Sequence, residues 1–376
     1  MTSALNKALE EISNKAANAG KRHALVGLDG FVDKIIRVID KRTGLGDEFI
    51  PIETIDEFGR RVTAAAGNSA NFELYQSLEK LGGNGPIMAH ALHAQKLQVR
   101  YIGALGKPIH PVFEEFAKAT NAVSLSEPGI TQALEFDDGK LMLGMMEGLD
   151  HVTYAAMVSE MGEGALFDVF NRANLIALVN WTMIPRMTEL FEDLLNKLLP
   201  NLGPNEQGRS FFFDLADPAK RSTSDIKEVL QTMRRFRSHG HVILGLNFAE
   251  SRQVSEALGL GSPENTEDSL KATANRIRSQ LDIGTVVIHP REGAACANRD
   301  GSWYVQGPFC KRPKITTGAG DHFNAGFASA MALGMSPVAA LVVGVSTSGQ
   351  YVRTGKSPSL QQTANFIERW QKGQLD

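Results

Sequence analysis

Lys314-Ile315-Thr316-Thr317-Gly318-Ala319-Gly320-Asp321, running on as HFNAGFASAMALG to Gly334, is the stretch on which the reading of this chain turns. Apolar residues at Phe323, Phe327, Ala330 and Met331 repeat at helical spacing until Gly334 stops them, so the glycines form a tight loop feeding a helix N-terminus. The first N–H groups of such a helix lack partners, its dipole presents the positive end, and glycine lets the backbone approach an anion closely. An oxyanion or phosphate site is therefore expected. Asp321 is the first acidic side chain there. A carboxylate beside a phosphate repels it unless a cation intervenes or the carboxylate has a proton to collect, which makes Asp321 a candidate general base; a plain N-cap is the competing reading.

TTGAGDHFNAGF resembles the C-terminal signature of the ribokinase-like (PfkB-type) carbohydrate kinases. The resemblance implies that Gly318, Ala319 and Gly320 form an anion hole, that Asp321 is the catalytic base and that Thr317 adjoins the nucleotide. That family usually carries Asp before the two threonines, where in many relatives it helps hold a monovalent cation. This chain has Ile315 there, so little or no activation by potassium is expected.

Working outward, 376 residues suffice for one large or two ordinary domains. A composition of 43% hydrophobic and 22% charged residues is that of a soluble globular protein, and a formal charge of −3 leaves no basic footprint for nucleic acid. No apolar run approaches the ~20 residues of a membrane helix, and the first 22 residues lack a signal-peptide core and read as a polar, solvated helix. Two cysteines, Cys296 and Cys310, do not make a disulfide framework. A cytoplasmic protein without membrane partners is expected.

His23–Ile39 reads as one Val- and Ile-rich strand broken by Gly27 and Gly30, placing Asp29, Phe31 and Asp33 on one face. Carboxylates there are costly to bury without partners, and sugar hydroxyls are such partners; turns at the glycines are the bland alternative. The resemblance favours Asp33 as the acceptor-binding residue. Asp40 to Lys80 shows no clear helical period. Gly82-Gly83-Asn84-Gly85-Pro86 then opens a helix, followed by a strand at Val99–Ala104, and resembles the family's N-terminal Gly-Gly motif. Ile87 replaces the Asn usual in that motif, which leaves Asn84 to supply the sugar contact. The rival stretch Ala66–Asn71 lacks the strand–helix setting.

Apolar alternation on both sides of Asp138-Gly139 signals a hairpin. In the family such segments build a small sheet over the sugar, here about 34–81 and 130–155. Beyond it, strands and helices alternate: Leu175–Val179 ends at Asn180-Trp181-Thr182, Ser210–Leu215 carries Asp214 with Asp217 beyond, and His241–Leu246 leads to Asn247-Phe248-Ala249-Glu250. Alternation of this kind predicts a mostly parallel sheet with ligands at the C-terminal strand ends. Asn247 and Glu250 match the family's N-x-x-E motif, which organises magnesium through water; helix capping is the other reading. His289–Gly293 stands where relatives carry a Thr-x-Gly turn near the nucleotide, bringing Gly293 to it, while His289 by itself reads as a structural histidine. The helix Pro337–Val352 would flank adenine through Ser346, unless its small residues serve only tight packing.

Thr354-Gly355-Lys356-Ser357 mimics the tail of a P-loop but lacks the earlier glycine, since position 350 is Gln, and no G-x-G-x-x-G occurs. The expectation is an α/β fold, a mostly parallel central sheet with helices on both faces plus a small β-sheet lid, with residues 1–22 preceding a kinase domain of residues 23–376. It would phosphorylate a hydroxyl, a primary alcohol, of a sugar or sugar derivative with ATP and Mg²⁺. Asp33, Asp29, Gly82, Gly83 and Asn84 would lie on the acceptor side, and Asn247 and Glu250 on the metal side. A homodimer through the lid is compatible with the resemblance. The alternatives are a nucleoside acceptor or a catalytically silent sugar-binding homologue.

Overall fold

A computed structural model describes residues 2–205 and 208–375. The strands, in chain order, are β1 (His23–Gly27), β2 (Phe31–Arg42), β3 (Phe49–Pro51), β4 (Glu73–Gly82), β5 (Gln98–Ala104), β6 (Val123–Ser126), β7 (Gly129–Phe136), β8 (Gly139–Met145), β9 (Leu175–Leu178), β10 (Ser210–Asp214), β11 (His241–Asn247), β12 (Thr285–His289), β13 (Gly293–Ala297) and β14 (Ser302–Gln306). Nine of them form one sheet in the order β14-β13-β12-β11-β10-β9-β1-β5-β6. Every pairing from β6 to β12 is parallel, while β13 and β14 close that edge as antiparallel strands.

Period two along each strand splits the apolar residues between two layers. Phe211 and Phe213 face one layer and Phe212 the other. Phe191, Phe213 and Phe236 meet edge to face on the first side, at centroid distances of 5.1 to 5.7 Å. Such pairs add about 0.5–1.5 kcal/mol each to their burial. The helix Ala319–Ala332 lies on the second side against Pro337–Thr354. A Cβ on Gly326 would fall 2.6 Å from the Thr347 hydroxyl oxygen, and one on Gly344 2.8 Å from the Phe323 ring, so the small residues there do serve close helix packing.

Three expectations are corrected. The stretch 23–39 is not one strand: β1 belongs to the large sheet and β2 to a second sheet, with Leu28–Gly30 as the crossing between them. The N-terminal helix Thr2–Lys15 is not solvated all round, because Leu5, Ala8 and Ile12 make a buried stripe at three- and four-residue spacing. Part of the supposedly irregular 40–80 segment is the helix Ile55–Ala64, whose start is capped by the Thr54 hydroxyl accepting from the Glu57 amide.

The second sheet has the order β3-β2-β7-β8 with β4 also on β2, and is the small sheet expected as a lid. The hairpin expected at Asp138-Gly139 joins β7 to β8; past Met145 the chain turns helical. No helix of the described residues is long and apolar enough to cross a membrane.

Candidate active site

Gly318 begins the site. It caps the helix Ala319–Ala332 with φ +85°, a left-handed conformation that suits glycine. Two carbonyls of the loop are pinned from behind: Tyr351 Oη donates to Thr317 O (3.0 Å), and His322 Nδ1 donates to Gly318 O (2.7 Å). His322 stacks on Tyr351, and its Nε2 meets Ser357 Oγ at 2.8 Å, so the stretch that mimicked a P-loop tail helps instead to fix the loop at Gly318. Burial holds the His322 imidazole down at about 4, hence neutral. The amide of Ala319 donates to Thr316 O (3.2 Å). That bond occupies the Ala319 amide within the loop, against its expected part in the anion hole.

Asp321 stands two residues beyond Ala319, 8% exposed. Burial, reinforced by the negative charges of Asp29 and Glu250, raises its carboxyl to about 8, against the lowering effect of Asn84. Asn84 Nδ2 donates to Asp321 Oδ1 at 2.9 Å. The turn opening the helix Asn84–Ala94 is thereby tied to the head of the GAGD loop, 237 residues away. Gly83 is the N-cap of that helix at φ +100°. The Asp29 carboxylate accepts from the amides of Asn84 (2.9 Å) and Gly85 (2.8 Å) and from Asn180 Nδ2 (2.6 Å). Desolvation lifts Asp29 to about 6. With no exposed surface, Asp29 is an anchor for the helix start rather than the substrate-binding residue expected of it. Asp33 on β2 is 7% exposed, beside Gly82 and opposite Thr131 in register. Desolvation raises its carboxyl, while Thr131, Lys80 and Lys140 pull the other way.

At Asp321 a cavity of about 500 Å³ opens, within the usual range for a small-molecule site. Asn247, Glu250, Gly293, Ala319, Gly320 and Asp321 line it together with His289, Asn84 and Asp214. At its wall Arg291 lies over the Phe309 ring at 5.2 Å. Ser346 is not part of the lining: it is fully buried, and the helix turns Val345, Ser348, Gly349 and Val352 to the cavity instead. Thr317 is likewise absent from the lining; its hydroxyl accepts from Lys140 Nζ at 3.1 Å.

Asn247 and Glu250 form a reciprocal capping box, and Glu250 Oε1 also accepts from the Asp217 amide (3.1 Å). The capping reading of the motif therefore holds, and both side chains line the cavity as well. Asp214, at the C-terminal end of β10, was not singled out for the site. Its Oδ2 accepts from Asn324 Nδ2 (2.9 Å), while Oδ1 is buried without a partner. Burial and the charges of Glu250 and Asp321 drive its carboxyl well above the ordinary value. The signal available was its place after a central strand of a parallel sheet.

Residues 2–370 match the model of the prokaryotic ketohexokinase family. The chain belongs to that family. A ketohexokinase from Haloferax volcanii is 28% identical over 345 residues, covering 91% of this chain and 90% of that protein. Among solved structures, Arabidopsis thaliana ribokinase complexed with ribose and ATP superposes with a TM-score of 0.63 at 14% identity, over 92% of this chain and 98% of that one. Ribokinase from Thermotoga maritima gives 0.60 at 16% identity, over 92% and 99%. These two matches speak to the fold. As a member of the prokaryotic ketohexokinase family, the chain is a carbohydrate kinase of the ribokinase type.

Proposed function

We propose that this chain transfers the γ-phosphoryl group of ATP to a primary hydroxyl of a ketohexose, with Asp321 as general base. The supporting observation is the place of Asp321, which lines the cavity at a helix start and accepts from Asn84, two residues past the Gly82 that packs on Asp33. Asp33 orients the acceptor through its hydroxyls. Asp321 takes the hydroxyl proton as the oxygen attacks, and the N–H groups at the start of the Ala319–Ala332 helix stabilise charge on the transferred group. In the free site burial favours the protonated carboxyl, so the base must lose its proton before turnover. The test is ADP release with ATP over a panel of ketohexoses, aldoses and nucleosides. Turnover confined to nucleosides would replace the acceptor class, and no turnover with any of them would favour a silent homologue.

The residues fit magnesium. Asp214 Oδ1 is a buried oxygen without a donor, and Glu250 adds a second carboxylate in the same cavity. No three acidic, His or Cys side chains among the described residues make a ready cage, which suits an ion that keeps most of its waters. When bound, magnesium neutralises the nucleotide phosphates. Asp214 would hold it, with Glu250 and Asn247 acting through water. Glu250→Gln should then raise the magnesium concentration for half-maximal rate about tenfold with acceptor binding intact, as loss of a group that orients bound water does. An unchanged magnesium dependence removes Glu250 from this role.

Ile315 offers no side-chain oxygen to a cation. Rates in sodium, potassium and tetramethylammonium at equal ionic strength should agree within about twofold, too little to register as a coordination site. A potassium-specific rise of several-fold would contradict this.

Leu78, Met142 and Leu143 are half exposed on the lid, apolar surface that a second copy would cover. Sedimentation velocity should give a dimer; a monomer at micromolar concentration refutes it.

A further inference from the structure

Lys140 is the second residue of β8, on the lid, yet its Nζ donates to Thr317 Oγ1 in the anion loop at 3.1 Å. Its cross-strand neighbour in register is Glu135, a carboxylate on the same face of the sheet. Lys140 forms no ion pair with it, nor with any other carboxylate among the described residues; the ion pairs of this part of the lid are made by Lys34, Arg37 and Arg42. Together with Lys80 it lowers the Asp33 carboxyl from a distance. The ammonium therefore stands between the acceptor carboxylate and the loop that precedes Asp321.

An ammonium has three N–H donors, and here one neutral hydroxyl takes a single one of them. In water such a bond contributes about 1 kcal/mol, and fixing a lysine costs up to about 2 kcal/mol of side-chain entropy. Lys140 is exposed, so water meets its remaining donors in the free enzyme; an anion at the loop would replace that water and cancel the charge.

We propose that Lys140 is a catalytic residue, a lid-borne ammonium that binds the γ-phosphoryl oxygens of the nucleotide. The proposal rests on the kinase reading above and adds a group to it. In the transfer, a bond forms from the acceptor oxygen to the γ-phosphorus and the bond from that phosphorus to the β,γ-bridging oxygen breaks. The hydroxyl proton passes to Asp321, and the electron pair stays on ADP. Lys140 keeps its protons throughout and offsets negative charge on the equatorial oxygens. Lid and base then act on the same phosphoryl group, so a lid held away from the loop leaves the transfer short of one cation.

The test compares ADP with β,γ-imido-ATP, each with magnesium, on wild type, Lys140→Met and Lys140→Arg by calorimetry. Lys140→Met should weaken the imido analogue about tenfold while the Kd for ADP moves less than about twofold, the mark of a contact to the third phosphate alone. Its kcat should fall about 10²-fold, with most of the loss restored in Lys140→Arg. Added ethylamine should raise the rate of Lys140→Ala, an effect a structural latch would not show. Equal weakening of both nucleotides, an unchanged imido affinity, or a loss confined to the acceptor KM overturns the proposal. The nucleotide measurements need no acceptor. If no sugar is turned over yet the imido analogue still separates from ADP, the acceptor assignment fails and the Lys140 assignment stands.

Discussion

Asp321→Asn lowers kcat by about 10²- to 10⁴-fold with the acceptor of choice, while the affinity for ADP stays within about twofold of wild type. Asparagine has the size of aspartate, and its amide can rotate to present an oxygen toward Asn84 Nδ2, keeping that 2.9 Å bond. What it cannot do is accept a proton at neutral pH. Were Asp321 only a cap, the exchange would be close to neutral, since Asn and Asp rank alike there. Near-wild-type turnover with a proven substrate therefore removes the general base and the main reason for calling the cleft catalytic.

The same substitution carries a pH signature. A base works deprotonated, so kcat/KM of wild type should rise with pH through the value of the free enzyme, about 8 for Asp321. Stability moves the other way. The folded-state value lies above the unfolded one, so the contribution of this group is fully present below about 4, the unfolded range, and is lost as pH climbs through about 8. Asp321→Asn has no proton to lose there. Between pH 5 and 9 its Tm should fall less than that of wild type; parallel Tm curves would mean that the carboxyl is not held protonated by its surroundings.

The loop 318–321 with its helix, and the cap made by Asn247 and Glu250, were legible because their features are local. Glycines before an apolar helical repeat, and Asn247 three residues before Glu250, carry their geometry in spacing alone. Asp29 was misread because its partners come from far along the chain: Asn84 and Gly85 are 55 and 56 residues away and Asn180 is 151. Alternation in 23–39 could not reveal the break into two sheets, since both halves are apolar and only tertiary pairing parts them. Ser346 failed for a matter of phase. The cavity face of its helix carries Val345, Ser348, Gly349 and Val352, and Ser346 lies about 100° round from Val345. Asp214 needed the knowledge that Glu250 and Asp321 would crowd the same space, although its strand-end position was visible. The helix Ile55–Ala64 buries no residue fully, so its apolar stripe was short and easily lost among charges.

Gly82→Ala should act at a distance on the acceptor. Gly82 ends β4 beside Asp33, and a Cβ there would fall 2.5 Å from Cγ and both oxygens of the Asp33 carboxyl. Gly82 is not among the glycines at positive φ, so alanine fits the backbone and the clash is with one side chain alone. That side chain can turn, and in turning it leaves Thr131, its neighbour in register on β7. The variant should therefore fold with a Tm within a few degrees of wild type, yet bind acceptor as if Asp33 were missing. Hydrogen bonds to a charged group contribute about 1.5–3 kcal/mol, so kcat/KM for the sugar should drop roughly 10- to 150-fold, with the KM for ATP unchanged. Asp33→Ala should give a loss of the same size. The double variant Gly82→Ala/Asp33→Ala should be no worse than Asp33→Ala, because the glycine matters only through the carboxylate it makes room for. Additive losses would show that Gly82 has a role of its own. A Gly82→Ala enzyme with a normal KM for sugar would show that Asp33 does not hold the acceptor.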